Sequence, residues 1–79
     1  MQVEIRLYAT LRRYAPQGAD AGVFVTDLTD GASVQDLVHS LKIIPEEVHL
    51  IMVNGMNSTM ERLLNSGDRI GLFPPIGGG

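Results

Sequence analysis

Apolar and polar residues alternate strictly from the start of the chain. In residues 2–8, QVEIRLY, Val3, Ile5 and Leu7 fall on one side and Gln2, Glu4, Arg6 and Tyr8 on the other. A period of two predicts a half-buried strand. Residues 9–15 suit a short helical turn before Pro16, and PQGADAG is turn material. VFVTDL, residues 23–28, is short, β-branched and aromatic, as a second strand should be. The period then changes. Val34, Leu37, Val38 and Leu41 fall at i, i+3, i+4 and i+7, one stripe of a helix, and Ser33 with Asp36 forms a capping-box pattern at its start. Pro45 opens a second short helical turn, PEEV, where Glu46 and Glu47 suit the first turn of a helix. VHLIMV, residues 48–53, predicts a third strand, ended by the turn pair Asn54-Gly55. A further turn follows at Asn65–Asp68, and Arg69–Phe73 predicts the last strand.

The order is strand, strand, helix, strand, turn, strand, which suits an α+β domain with the helix packed on one sheet face. At 79 residues the chain is one domain with one thin core. It has no cysteine, so neither disulfides nor thiolate chemistry support it. No apolar run is long enough for a membrane span and no signal-peptide layout opens the chain, so the expectation is a cytoplasmic protein without a membrane partner. The net charge is −3, and no basic cluster exceeds Arg12-Arg13. Phosphate contacts dominate nucleic-acid affinity, so a nucleic-acid partner is not expected. His39 and His49 lack metal-site spacing and read as ordinary surface residues; no metal is expected.

The tail LFPPIGGG, preceded by GDRI, and the opening VEIRLYATLRR carry a resemblance. So do Ser33-Val34-Gln35-Asp36-Leu37, Val53-Asn54 and Gly67-Asp68-Arg69-Ile70. Together, in this order and over the whole length, they resemble the ubiquitin-fold sulfur carriers (MoaD-like and ThiS-like), above all the small subunit of molybdopterin synthase. Phe73-Pro74-Pro75 ending in Gly78-Gly79 is the specific part. Two stretches depart from the pattern: Gly77 stands where Ser or Thr is usual, and GMNSTME, residues 55–61, replaces a more hydrophobic continuation.

The resemblance implies a β-grasp (ubiquitin-like) fold: a mixed sheet of four to five strands over residues 1–74, one main helix on one face, and a glycine tail over 75–79. It implies a carrier rather than an enzyme. The Gly79 carboxylate would be adenylated by a ubiquitin-activating-type adenylyltransferase, which uses the ATP, and converted to a thiocarboxylate. The large subunit of molybdopterin synthase, or another sulfur-accepting synthase, would consume it; the carrier itself would bind no cofactor. Carriers for thiamin thiazole or for cysteine and homocysteine synthesis share the fold and the ending, and a ubiquitin-like modifier that forms isopeptide bonds with lysines is a further alternative.

The residue types suit that chemistry. Gly77, Gly78 and Gly79 lack Cβ atoms, so they fit a narrow channel and leave the last carbonyl open to attack. Pro74 and Pro75 stiffen the root, and from Pro74 through Ile76 to Gly79 the extended chain reaches roughly 20 Å. Three glycines alone would suit a frayed end better; Phe73-Pro74-Pro75, Gly67-Asp68 and the order of strands and helix turn the reading to the carrier. Alternation sets Phe73 opposite Ile70 and Leu72, and with Tyr8 it forms the expected partner interface. Met56 is added to that interface through the divergent stretch.

Overall fold

The alternation in residues 2–8 becomes strand β1, Gln2–Leu7, with Val3, Ile5 and Leu7 buried. The computed structural model describes residues 1–75. Strand β2, Val23–Asp27, pairs antiparallel with β1. Helix α1, Val34–Ser40, follows, then β3, Leu50–Val53, β4, Met56–Ser58, and β5, Arg69–Phe73. Two 3-10 turns, Ala9–Tyr14 and Pro45–Glu47, complete the order among the described residues. The five strands form one sheet in the order β2-β1-β5-β3-β4, parallel between β1 and β5 and antiparallel elsewhere. A mixed five-stranded sheet with one helix on a single face is the β-grasp arrangement that the sequence led us to expect.

The strand ends differ slightly from the pattern for local reasons. Tyr8 stays extended, but Ala9 turns to φ 51° and breaks the ladder. The Leu28 N–H bonds to the Met1 carbonyl beyond β2. The Val48 N–H closes the second 3-10 turn on Pro45, so β3 begins at Leu50 instead of residue 48. The sequence reading placed no strand within residues 55–61, yet Met56–Ser58 pairs with β3. Three residues, two of them polar, give no alternation to detect. The cue was the Asn54-Gly55 pair itself: with φ of 53° and 81°, it makes the two-residue primed turn that suits the twist of a hairpin.

The core lies between α1 and one sheet face. Ile5, Leu7, Ile51, Val53, Ile70 and Leu72 meet Val34, Leu37 and Val38, with Leu11, Ile43 and Leu64 closing the ends. Removing apolar surface from water at about 25 cal/mol per Å² is what holds these layers together. The capping box forms in full: the Asp36 N–H donates to Ser33 Oγ (3.2 Å), and the Ser33 N–H donates to Asp36 Oδ2 (2.9 Å). The next two amides, of Val34 and Gln35, donate to the carbonyls of Arg62 and Met60. Leu41 caps the other end, and Lys42, at φ 61°, leads the chain away. Both histidines lie exposed.

Glu47 ties the two 3-10 turns together. Its carboxylate accepts hydrogen bonds from the Tyr14 hydroxyl and from Arg13 Nη2. The Tyr14 bond, then the Arg13 bond, holds the carboxyl below its ordinary 4.5. The same contact with Glu47 raises the Tyr14 phenol above its ordinary value.

Two predictions follow from these contacts. Gly22 sits at φ 80°, and a Cβ there would lie 2.4 Å from the Leu7 carbonyl oxygen. Gly22→Ala should destabilise the domain by about 2–3 kcal/mol, read from the urea midpoint; an unchanged midpoint would contradict this packing. Glu47 titrates lower when folded than unfolded, so its contribution is complete above the ordinary carboxylate range and fades as pH falls through the folded value. Urea midpoints measured from about pH 6 to about pH 3 should therefore fall less steeply for Glu47→Gln than for the parent.

Candidate functional site

The sheet face turned away from α1 carries the candidate surface. In β1 the alternation puts Glu4 and Arg6 there, with Tyr8 just beyond; in β5 it puts Arg69, Gly71 and Phe73 there. Register then brings the strands into line: Arg6 is opposite Gly71, Gly71 is opposite Met52, and Phe73 is opposite Leu50. Tyr8 and Phe73 meet across the missing side chain of Gly71. Their rings stack with centroids 4.1 Å apart and planes inclined by 7°. A Cβ on Gly71 would touch both rings at 3.4 Å and Met52 Cβ at 3.8 Å, so the rings lie over the bare backbone of the glycine. Such pairs contribute about 0.5–1.5 kcal/mol beyond area burial. Both rings remain partly open to solvent.

Beside the stack lies a shallow groove of about 310 Å³, floored by Gly71 and Met52 and rimmed by Arg6, Arg69, Asn54 and Gly55. Arg6 is engaged by Glu4 at 2.9 Å. Arg69 makes no ion pair among the described residues. The groove is thus apolar at its floor and basic at its rim.

The end of β5 is anchored on both sides. The Leu72 carbonyl accepts from the Tyr8 N–H (3.2 Å), and the Phe73 carbonyl accepts from the His49 N–H (2.7 Å). Pro74 and Pro75 have no N–H with which to continue either ladder, so pairing ends there by chemistry. Pro74 is half-buried and Pro75 is exposed. Ile76, Gly77, Gly78 and Gly79 lie outside the described residues.

The start of β5 is set by Asn54 and Asp68. Buried Asp68 accepts from Asn54 Nδ2 at 2.9 Å and from the Asn65 N–H at 2.8 Å. Asn54 Oδ1 accepts from the Arg69 N–H at 2.9 Å, and the Asn54 N–H donates to the Arg69 carbonyl at 2.8 Å. Val53-Asn54 and Gly67-Asp68, with Asn54 and Asp68 14 positions apart in sequence but hydrogen-bonded in space, therefore hold the register of the strand that leads to the tail.

The structure brings Tyr8 and Phe73 together, with Pro74 next in the chain. It does not bring Met56 to them. Met56 is paired with the core-facing Val53, so it lies on the helix side of the sheet, exposed at the hairpin. Asn57, opposite Met52, takes the open side instead. Met52 and Gly71 were missed in the sequence. The unbroken apolar run of β3 gives no alternation by which to assign Met52 a face, whereas the alternation of β5 did carry the signal for Gly71. Among the described residues no group of acidic or histidine side chains could hold a metal ion, and no helix is long and apolar enough to cross a membrane.

The fold has solved relatives. SAMP1 from Haloferax volcanii is similar at 25% identity and TM-score 0.73, with both chains covered in full. A Pyrococcus furiosus protein described as a molybdopterin converting factor, subunit 1, is similar at 27% identity and TM-score 0.70, covering 95% of this chain and 98% of its own. In the complex of subunits 1 and 2 of the molybdopterin-converting factor from Helicobacter pylori, one chain matches at 24% identity and TM-score 0.60, both covered in full, a likeness of fold. No curated protein matches the chain by sequence. The family described as Mut7-C ubiquitin matches over residues 1–77, and the chain belongs to it.

Proposed function

We propose that the chain is a sulfur carrier whose Gly79 carboxylate is the group its partners act upon. The observation that carries this reading is the placement of β5. The central strand of a ubiquitin-like sheet runs directly into Phe73-Pro74-Pro75, beside an open aromatic face, with three glycines next in the sequence. The described domain is then a handle, and the tail is the substrate.

In the first step the Gly79 carboxylate attacks the α-phosphorus of ATP in the active site of a ubiquitin-activating-type adenylyltransferase. Pyrophosphate leaves, and an acyl adenylate forms. A persulfide sulfur then attacks the acyl carbon and AMP leaves; reduction of the resulting acyl disulfide by a thiol releases the thiocarboxylate. A synthase consumes it and returns the carboxylate. Likeness to the Pyrococcus furiosus subunit supports molybdopterin formation as the use of that sulfur, with a large synthase subunit as the second partner. The stacked Tyr8 and Phe73, with the groove over Gly71, are the surface that partner grips: a flat apolar centre ringed by Arg6 and Arg69, suited to an apolar patch with carboxylates at its edge. A second reading, a modifier joined to lysines through the same terminus, is favoured by the full-length likeness to the archaeal protein named above, a small archaeal modifier.

Intact mass tests the chemistry. With ATP, a sulfide source and an archaeal adenylyltransferase of this type, the chain should gain the mass of one sulfur less one oxygen, and deletion of Gly79 should abolish the gain without moving the urea midpoint. Absence of the gain, where a Haloferax volcanii carrier converts, would sink the reading; lysine adducts in cells would move it to the modifier. Phe73→Ala should weaken capture of a molybdopterin synthase large subunit about tenfold, the scale of an aromatic anchor lost from an interface, while lowering stability only modestly. A large loss of stability with capture unchanged would make the stack a packing device.

A further inference from the structure

The two 3-10 turns stand on either side of the end of β5, which lies between β1 and β3 in the sheet. The first turn, Ala9–Tyr14, leaves from the end of β1, and the residue before it, Tyr8, donates to the Leu72 carbonyl. The second, Pro45–Glu47, leads into β3, and His49 just after it donates to the Phe73 carbonyl. The last two carbonyls of β5 are therefore held by the segments that carry these two turns. Nothing in strand pairing joins the turns to each other.

Glu47 does. Arg13 and Tyr14 of the first turn both donate to its carboxylate, one to each oxygen. Arg13 is itself steadied: Nη1 donates to the Thr10 carbonyl at 2.9 Å, Nη2 donates to Tyr14 Oη at 3.1 Å, and the guanidinium lies 4.6 Å over the Tyr14 ring. Tyr14 packs against the core edge. An isolated exposed ion pair is worth little. Here two groups converge on one carboxylate, and the donors belong to adjacent residues of a turn already anchored by buried Leu11.

We infer that Arg13, Tyr14 and Glu47 form a collar around the root of the tail, positioning residues that fix the direction in which the chain leaves β5 and so present Gly79 to a partner's active site. The inference rests on the carrier reading for its chemistry but not for its geometry. Without the collar, the Pro45–Glu47 turn swings independently of Ala9–Tyr14, the His49 N–H parts from the Phe73 carbonyl, and the end of β5 loses one of the two segments that hold it. Docking on the Tyr8–Phe73 face is left intact.

The test uses the full chain with Glu47→Ala and Glu47→Gln, the second keeping one side-chain oxygen as acceptor. Amide hydrogen exchange should quicken about fivefold at His49 in Glu47→Ala, with Ile51, Val53 and Ile70 unchanged and Glu47→Gln intermediate. In thiocarboxylate formation with the adenylyltransferase, ATP and sulfide, kcat should fall several-fold while KM for the carrier stays within about twofold, again with partial rescue in Glu47→Gln. Unaltered exchange at His49 would overturn the collar whatever the chemistry does. Faster exchange with unaltered kcat would overturn its role in presentation. A parent chain that accepts no sulfur would instead defeat the carrier reading, and the delivery role with it, while the exchange data still decide whether the collar exists.

Discussion

The parallel pairing of β1 with β5 is the constraint on which the other features rest. It places the last strand in the middle of the sheet, with Ile70 and Leu72 in the core beside Ile5 and Leu7. Parallel strands require a long crossover, and nearly the whole chain serves as one, since β2, α1, β3 and β4 all lie between them in sequence. The strand that leads to the tail is therefore bonded on both edges and packed on one face. A tail hung from an edge strand would follow a strand paired on one side alone; this one follows a strand paired on both.

Register is the second condition, because a slip of one residue would turn Phe73 into the core and Leu72 out of it. Asn54 and Asp68 oppose such a slip. Their side chains bond each other and the backbone at the start of β5, and Asn54 reaches its position only through the left-handed turn at Asn54-Gly55. Buried polar groups are tolerated when every partner is present, and here the carboxylate has two donors. Gly71 completes the arrangement. Its missing side chain makes room for the two aromatic rings, which in turn cover backbone that would otherwise face water.

Much of this was legible in the sequence where periodicity was strong. The stripe of α1, the capping box, the alternation of β1 and the facing of Phe73 all rest on spacing within one element. The collar was not legible, because Arg13 and Tyr14 meet Glu47 only after the β1–β5–β3 order is set. Glu47 read simply as an acidic residue in a first helical turn. Met56 shows the opposite failure: alignment through a divergent stretch assigned it a role, while pairing with Val53 assigns it a side of the sheet away from Tyr8. The strand that contains it was hidden because three residues are too few to show a period.

A division of labour emerges from these distances. Tyr8 belongs to both halves of the site: its ring stacks on Phe73, while its backbone N–H holds Leu72 and its neighbours open the turn that carries Arg13 and Tyr14. The stacked face and the end of β5 are thus joined at one residue. A partner that presses on the rings presses on the strand end as well, and the stack lies next to the Pro74 root rather than at the hairpin. Because ring packing and backbone bonding are separate interactions, each can be removed without the other. In the carrier proposed above, affinity for the partner and the rate of sulfur loading therefore rest on different side chains, the first on Tyr8 and Phe73, the second on the carboxylate that joins the two turns.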